Sequence, residues 1–396
     1  MEQYQANFAS TLGKREICTA AVAAAHNSML EVTASHFYGP QPREDHDQTY
    51  APKTLLHFAY LQGVVMGSPI SSEIDYEADG KQAGYLRLPH SVHRSAYGWI
   101  PIPIVQIKNG SGPTILLIAG NHGDEYEGQV AVTKLAKDLQ PEMLQGRVIL
   151  LPMANYPAAK AGYRTSPIDD GNLNRSFPGD PAGSVTQIIA HYIESVLMKM
   201  ADYAIDLHSG GSSLHYVPTV LYGDREDERE TAEVLRMTHA FAAPYALRFR
   251  RSGDNVSTAA ARRQGTIGVT VEMGGSGTVT PYALKVTREG IERVMAEFGI
   301  LKETKLGAPG VTRVLRLTGR HNYLYARLEG LFEPAADIGK DVAKGQTAGW
   351  IHHPEAPWAD TTEVVFPISG TILCKRIPCR VQPGDCLFQL GQDDTD

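Results

Sequence analysis

Cysteine is scarce: the 396 residues hold only four, Cys18, Cys374, Cys379 and Cys386. None forms a CxxC pair, and a chain this long can bury a core without disulfide staples, so reduced thiols are expected. Long apolar runs are lacking as well. The most hydrophobic early stretch, 55–65, contains His57 and Gln62 and is too short to span a bilayer. The N-terminus has no basic segment leading into an apolar core, so no secretory signal is expected. There is no basic run, and a formal charge of -7 gives no reason to expect nucleic acid or an anionic membrane as partner. These absences point to a cytoplasmic protein, with homo-oligomerisation left open.

What is present is an alternation of short apolar runs with helical periods. Residues 114–119 and 147–151 read as buried strands, and 203–207 and 267–271 repeat the pattern. Residues 84–88 and 102–107 read as further strands, followed by the Asn109-Gly110 turn signal. Helical spacing marks 130–139, 184–200, 228–241 and 281–298. This order predicts an α/β fold with a parallel or mixed sheet covered by helices on both faces. Past residue 305 the helical period stops, and 311–317, 323–328, 363–366 and 370–374 read as strands of a small all-β domain. The expected organisation is an N-terminal extension over 1–66, with helical patterns at 17–25 and 55–65, a catalytic domain over 67–305 and a C-terminal β domain over 306–396.

The most informative segment is 119–128, Ala-Gly-Asn-His-Gly-Asp-Glu-Tyr-Glu-Gly. It follows a buried strand, and ligands of open α/β sheets bind beyond the carboxyl ends of strands. His122 and Glu125 are three apart, which lets both point to one side where a loop enters a helix. An HxxE also arises by chance, and a histidine before glycine can simply end a strand. The matching unit at 203–211, in which His208 follows a strand and precedes Ser-Gly-Gly, favours the metal reading. Two histidines and a glutamate, with a fourth position for water, are the pattern of a catalytic zinc.

Glu272 ends another apolar strand, where an ionised carboxylate is costly to bury unpaired. Beside a metal-bound water it would move protons; otherwise it is a salt-bridge residue. The polar run 170–179 carries Asn174 and Arg175, and Arg164 lies just upstream. Either guanidinium suits a carboxylate or, equally, a surface ion pair.

Together these residues resemble the succinylglutamate desuccinylase/aspartoacylase family, a branch of the zinc carboxypeptidase-like fold. The resemblance covers about 70–396 and implies one Zn2+ held by His122, Glu125 and His208, with Glu272 as general base. Asn172-Leu-Asn174-Arg175 aligns with the family's DxNR motif, its first position being Asn here, and implies substrate binding by Asn174 and Arg175. Arg164 corresponds loosely to a further substrate-binding arginine. The implied activity is zinc-dependent hydrolysis of the amide of a small N-acylated amino acid. The motifs at 120–128, 165–169, 174–179, 206–211 and 272–275 resemble most closely the members that deacetylate Nα-acetyl-L-2,4-diaminobutyrate in ectoine degradation. A desuccinylase or aspartoacylase activity, or ligand binding without catalysis, is the alternative. Asp124, Glu127, Asp169, Asp170 and Asp254 are unranked candidates for a substrate ammonium. Residues 330–345, with Phe366-Pro-Ile-Ser-Gly-Thr, resemble a barrel-sandwich module of carrier domains without its lysine, which implies a structural or lid role.

Overall fold

The computed structural model describes residues 67–250 and 253–394; Cys18 and the helices expected at 17–25 and 55–65 lie outside them. The first half supplies β1 (Ser71–Ser72), β2 (Gly80–Pro89), β3 (Trp99–Asn109), β4 (Thr114–Ala119), α1 (Tyr126–Asp138), β5 (Gly146–Leu151), α2 (Tyr156–Ala161) and α3 (Val185–Tyr192). There follow β6 (Tyr203–His208), β7 (Leu214–Gly223), α4 (Glu228–Phe241), β8 (Tyr245–Phe249), α5 (Ser257–Arg263), β9 (Ile267–Gly275) and α6 (Pro281–Glu297). At the centre β4 lies between β5 and β6, and β6 between β4 and β9, all parallel. Antiparallel β3 and β7 flank this run, so the sheet is mixed.

Strand periodicity divides the core into two layers, because successive side chains point to opposite faces. On β4, Ile115, Leu117 and Ala119 pack with Val132 and Leu135 of α1, Val234, Met237 and Phe241 of α4, and Ile291, Val294 and Met295 of α6. The intervening Leu116 and Ile118 pack against Ile189, Ala190 and Tyr192 of α3 and Ala260 and Ala261 of α5. Each leucine so enclosed contributes about 1.5–3 kcal/mol. Gly290 lets α6 approach α4: a Cβ there would stand 2.6 Å from the Phe241 ring.

The same alternation places the chemistry. Ile205 and Leu207 of β6, and Val269, Val271 and Met273 of β9, belong to the layer of α1, α4 and α6. Asp206, His208 and Glu272 therefore face the α3/α5 side, and His208 and Glu272 are register partners.

Three features differ from the sequence expectation. The helix expected over 184–200 is regular only over Val185–Tyr192 and continues as a π turn, Ile193–Leu197, and a 3-10 turn, Met198–Met200. The helix expected over 228–241 is present as α4, but the strands β7 and β8 on either side of it were not expected; Pro218 interrupts the first and the second has just five residues, so neither carries a clear period. The C-terminal strands are β10 (Arg313–Arg316), β11 (Tyr323–Tyr325), β12 (Gly330–Pro334), β13 (Asp341–Val342), β14 (Thr347–His352), β15 (Thr362–Val365), β16 (Gly370–Arg376), β17 (Arg380–Val381) and β18 (Cys386–Asp393). They form two groups. One, β15-β14-β12-β17, is a sheet of its own, whereas β10, β11, β13, β16 and β18 extend the central sheet, with β10 beside β8 and β16 beside β7. Among the described residues no helix is long and apolar enough to cross a membrane.

Candidate active site

The chain leaves β4 through Gly120 at φ +67 and reaches Glu125, which occupies the N-cap position of α1. Gly123 is required by a close backbone approach, since a Cβ there would fall 2.1 Å from the Ala158 carbonyl carbon. Its N–H donates to the Tyr163 carbonyl at 2.8 Å. That bond fixes the segment carrying Arg164 beside the HxxE turn.

His122, Glu125 and His208 converge here, all buried, with ligand atoms within 4.8 Å of one another. His122 Nδ1 lies 2.8 Å from Glu125 Oε1, and His208 Nδ1 lies 2.8 Å from Glu125 Oε2. Behind them, His122 Nε2 donates to Asn172 Oδ1 at 3.1 Å and His208 Nε2 donates to Asp206 Oδ2 at 2.8 Å. With both Nε2–H groups committed outward, each ring turns Nδ1 toward the carboxylate. Two imidazoles and a carboxylate with ligand atoms this close are a donor set that a divalent cation answers, the rings giving up any proton on Nδ1 when it binds. The residues present therefore fit a metal ion. The Ser209 N–H also reaches Glu125 Oε2 at 3.1 Å, and the N-terminus of α1 favours the charge further.

Burial pushes the Glu125 carboxyl up, but the charges and hydrogen bonds of His122 and His208 outweigh it and hold the group well below the usual carboxylate range. For His208 burial favours the neutral ring, while Asp206 and Glu125 drive its pKa well above the ordinary value. Burial, with the Glu125 charge beside it, pushes Glu272 well above the usual range, and His208 and Arg164 oppose the shift. The Glu272 Oε2 atom is buried without a hydrogen-bond partner.

Arg164 reaches this cluster, its Nη1 lying 3.2 Å from Glu125 Oε1 with the side chain half exposed. Asn174 and Arg175 sit on a 3-10 turn, Leu173–Arg175. Asn174 Oδ1 accepts from the Ser257 N–H at 2.9 Å, and the exposed Arg175 guanidinium donates to the Asn174 carbonyl at 2.6 Å. Among the unranked acidic residues, Asp124 is engaged by Ser212, Glu127 by the Gly275 N–H, and Asp169 by Ser184 and Thr186 at the start of α3. Sequence reasoning missed Asp206 and Asn172 as partners of the histidines. The first was readable, being two residues before His208 on a strand and so on its face; the second stood at the altered DxNR position.

The catalytic-domain signature described as succinylglutamate desuccinylase/aspartoacylase matches residues 111–298. The chain is 42% identical over 327 residues, 82% of its length and 95% of the relative's, to the N-alpha-acetyl-L-2,4-diaminobutyric acid deacetylase of Halomonas elongata. The chain belongs to the succinylglutamate desuccinylase/aspartoacylase family. Its mixed α/β fold matches solved structures of that family. A succinylglutamate desuccinylase/aspartoacylase from Rhodobacter sphaeroides superposes with a TM-score of 0.78 at 38% identity, covering 83% of this chain and 100% of that one. The product-bound ectoine utilization protein EutE (DoeB) of Ruegeria pomeroyi gives 0.80 at 38% identity with the same coverage. Family membership makes the chain an acyl-amino-acid hydrolase, and the His122–Glu125–His208 group is able to bind a metal.

Proposed function

We propose that this chain hydrolyses the acetyl amide of Nα-acetyl-L-2,4-diaminobutyrate, giving L-2,4-diaminobutyrate and acetate, in the degradation of ectoine. The observation that carries this reading is the identity of 42% to a deacetylase of that name along 95% of its length, joined to a buried ligand cluster able to bind a metal. We assign His122, Glu125 and His208 as ligands of a single Zn2+. When bound, that ion would supply Lewis-acid chemistry, lowering the pKa of water and polarising the amide carbonyl.

The remaining work belongs to the protein. Glu272 takes the proton of the attacking water and returns it to the leaving amine nitrogen. Burial raises the pKa of this carboxyl, which strengthens it as the acceptor of the water proton. Arg164, anchored on one side by Glu125 and open on the other, grips the α-carboxylate. Asn174 and Arg175, one short turn along the chain from Asn172, provide a second contact. The enzyme works in the cytoplasm on a small N-acylated amino acid. Its residues 67–305 form a zinc carboxypeptidase-like catalytic domain, and 306–396 a barrel-sandwich-like β domain that is joined to the central sheet through β10, β11, β13, β16 and β18.

Amine release by the zinc-loaded chain tests the assignment against Nα-acetyl- and Nγ-acetyl-diaminobutyrate, N-acetylaspartate and N-succinylglutamate. The Nα-acetyl compound is expected to have the highest kcat/KM. Preference for N-succinylglutamate overturns the substrate and leaves the hydrolytic chemistry standing.

A further inference from the structure

Asp206 Oδ2 carries an unusual load for one oxygen. It accepts from His208 Nε2 at 2.8 Å, from Asn121 Nδ2 at 3.1 Å and from the Ser257 hydroxyl. Its other oxygen, Oδ1, is buried and has no partner. A carboxylate so placed would gain by turning Oδ1 toward a donor, and turning would carry Oδ2 off the His208 N–H axis. The three donors on Oδ2 oppose that turn, since each would lose its acceptor.

Outside the ligand set two side chains donate to Oδ2, Asn121 and Ser257. Ser257 is the first residue of α5 and is 2% exposed. Its own N–H, one of the donors that a helix N-terminus leaves without an intrahelical partner, is satisfied by Asn174 Oδ1 at 2.9 Å. The serine is thus held at its backbone by one polar turn while its hydroxyl reaches across to β6. No motif of the sequence contains it. We propose that Ser257 is a positioning residue of the metal centre. By pinning Asp206 it keeps the Nε2–H of His208 directed outward and Nδ1 directed at the ion, and Asn174 acts as its backbone anchor.

The inference rests on the ligand set assigned above, and the test separates the two. Zn2+ affinity is measured on the full chain by competition with a chromophoric chelator, in wild type, S257A, S257T, T258S and H208A. Each variant is first checked by thermal melting. Loss of the hydroxyl in S257A should raise the Zn2+ Kd about tenfold, and S257T, which restores it, should stay within about threefold of wild type, as for other partners of metal-bound histidine. T258S trims a methyl from the next residue, 8% exposed, and should leave the Kd unchanged. The visible spectrum of the Co2+ form should shift in S257A and not in T258S, a signature that general loosening of α5 would not produce. Wild-type affinity in S257A overturns the proposal, as does equal weakening in T258S, or in an S257T that melts normally. If H208A itself binds Zn2+ as wild type does, the ligand assignment fails instead.

Discussion

The two faces of the central sheet carry different burdens. The face toward α1, α4 and α6 is apolar from end to end, with Ile115, Leu117, Ile205, Leu207, Val269 and Val271 all at 1% exposure or less. The face toward α3 and α5 begins the same way, with Leu116, Ile118 and Ala204, and then gives way at the strand ends to Asp206, His208 and Glu272. One face stabilises by burial alone. The other buries charge, which costs free energy unless each group has a partner. That difference teaches where the molecule should separate stability from chemistry.

The largest effect should come from the polar face. His208→Ala removes a donor from a buried three-residue cluster, and metal analysis should find the variant without stoichiometric zinc and without measurable turnover. On the apolar face, Phe241→Ala should cost about 3–5 kcal/mol in denaturant unfolding while the folded fraction retains metal and activity. If that variant lost zinc at full stability, the separation between faces would collapse. Glu272→Gln should keep its zinc and melt normally, yet lower kcat by at least about a hundredfold. Near-normal turnover would remove Glu272 from the proton transfer.

The smallest effect concerns Asp169, at the start of α3. Burial raises its carboxyl pKa, but bonds from Ser184 and from Thr186 outweigh that and hold it below the usual value. The stability it contributes is present above the unfolded carboxyl pKa of about 3.9 and is lost as pH falls through the folded value. Unfolding of wild type and Asp169→Asn should therefore differ most at pH 5–7 and converge toward pH 3. A gap that widened with acid would reverse the sign assigned to this group.

Much of this was legible in the primary structure, for reasons of scale. The run 114–119 became β4 with those same bounds, and 228–241 became α4, because a buried strand or a strongly amphipathic helix is set by its own side chains. The group able to bind a metal was legible because His122 and Glu125 are close in the chain and His208 ends a strand of the same kind. The short β8 and the proline-bearing β7 were not, since their pairing with neighbours, rather than their own period, holds them in the sheet. The DxNR alignment suggested substrate contact for Asn174; what it could not show is that the Oδ1 of the same side chain accepts from the Ser257 N–H.

Local sequence determined that Asp206 and His208 share a face, because strand geometry alternates every residue and leaves no choice. It determined too that HxxE lies between a strand and a helix. Only the tertiary structure brought His208 to Glu125 across 83 residues, Asn172 to His122 across 50, and Ser257 to Asp206 across 51. Such contacts depend on which strands become neighbours and how a helix docks on them. These are properties of the assembled sheet, and no short segment encodes them alone.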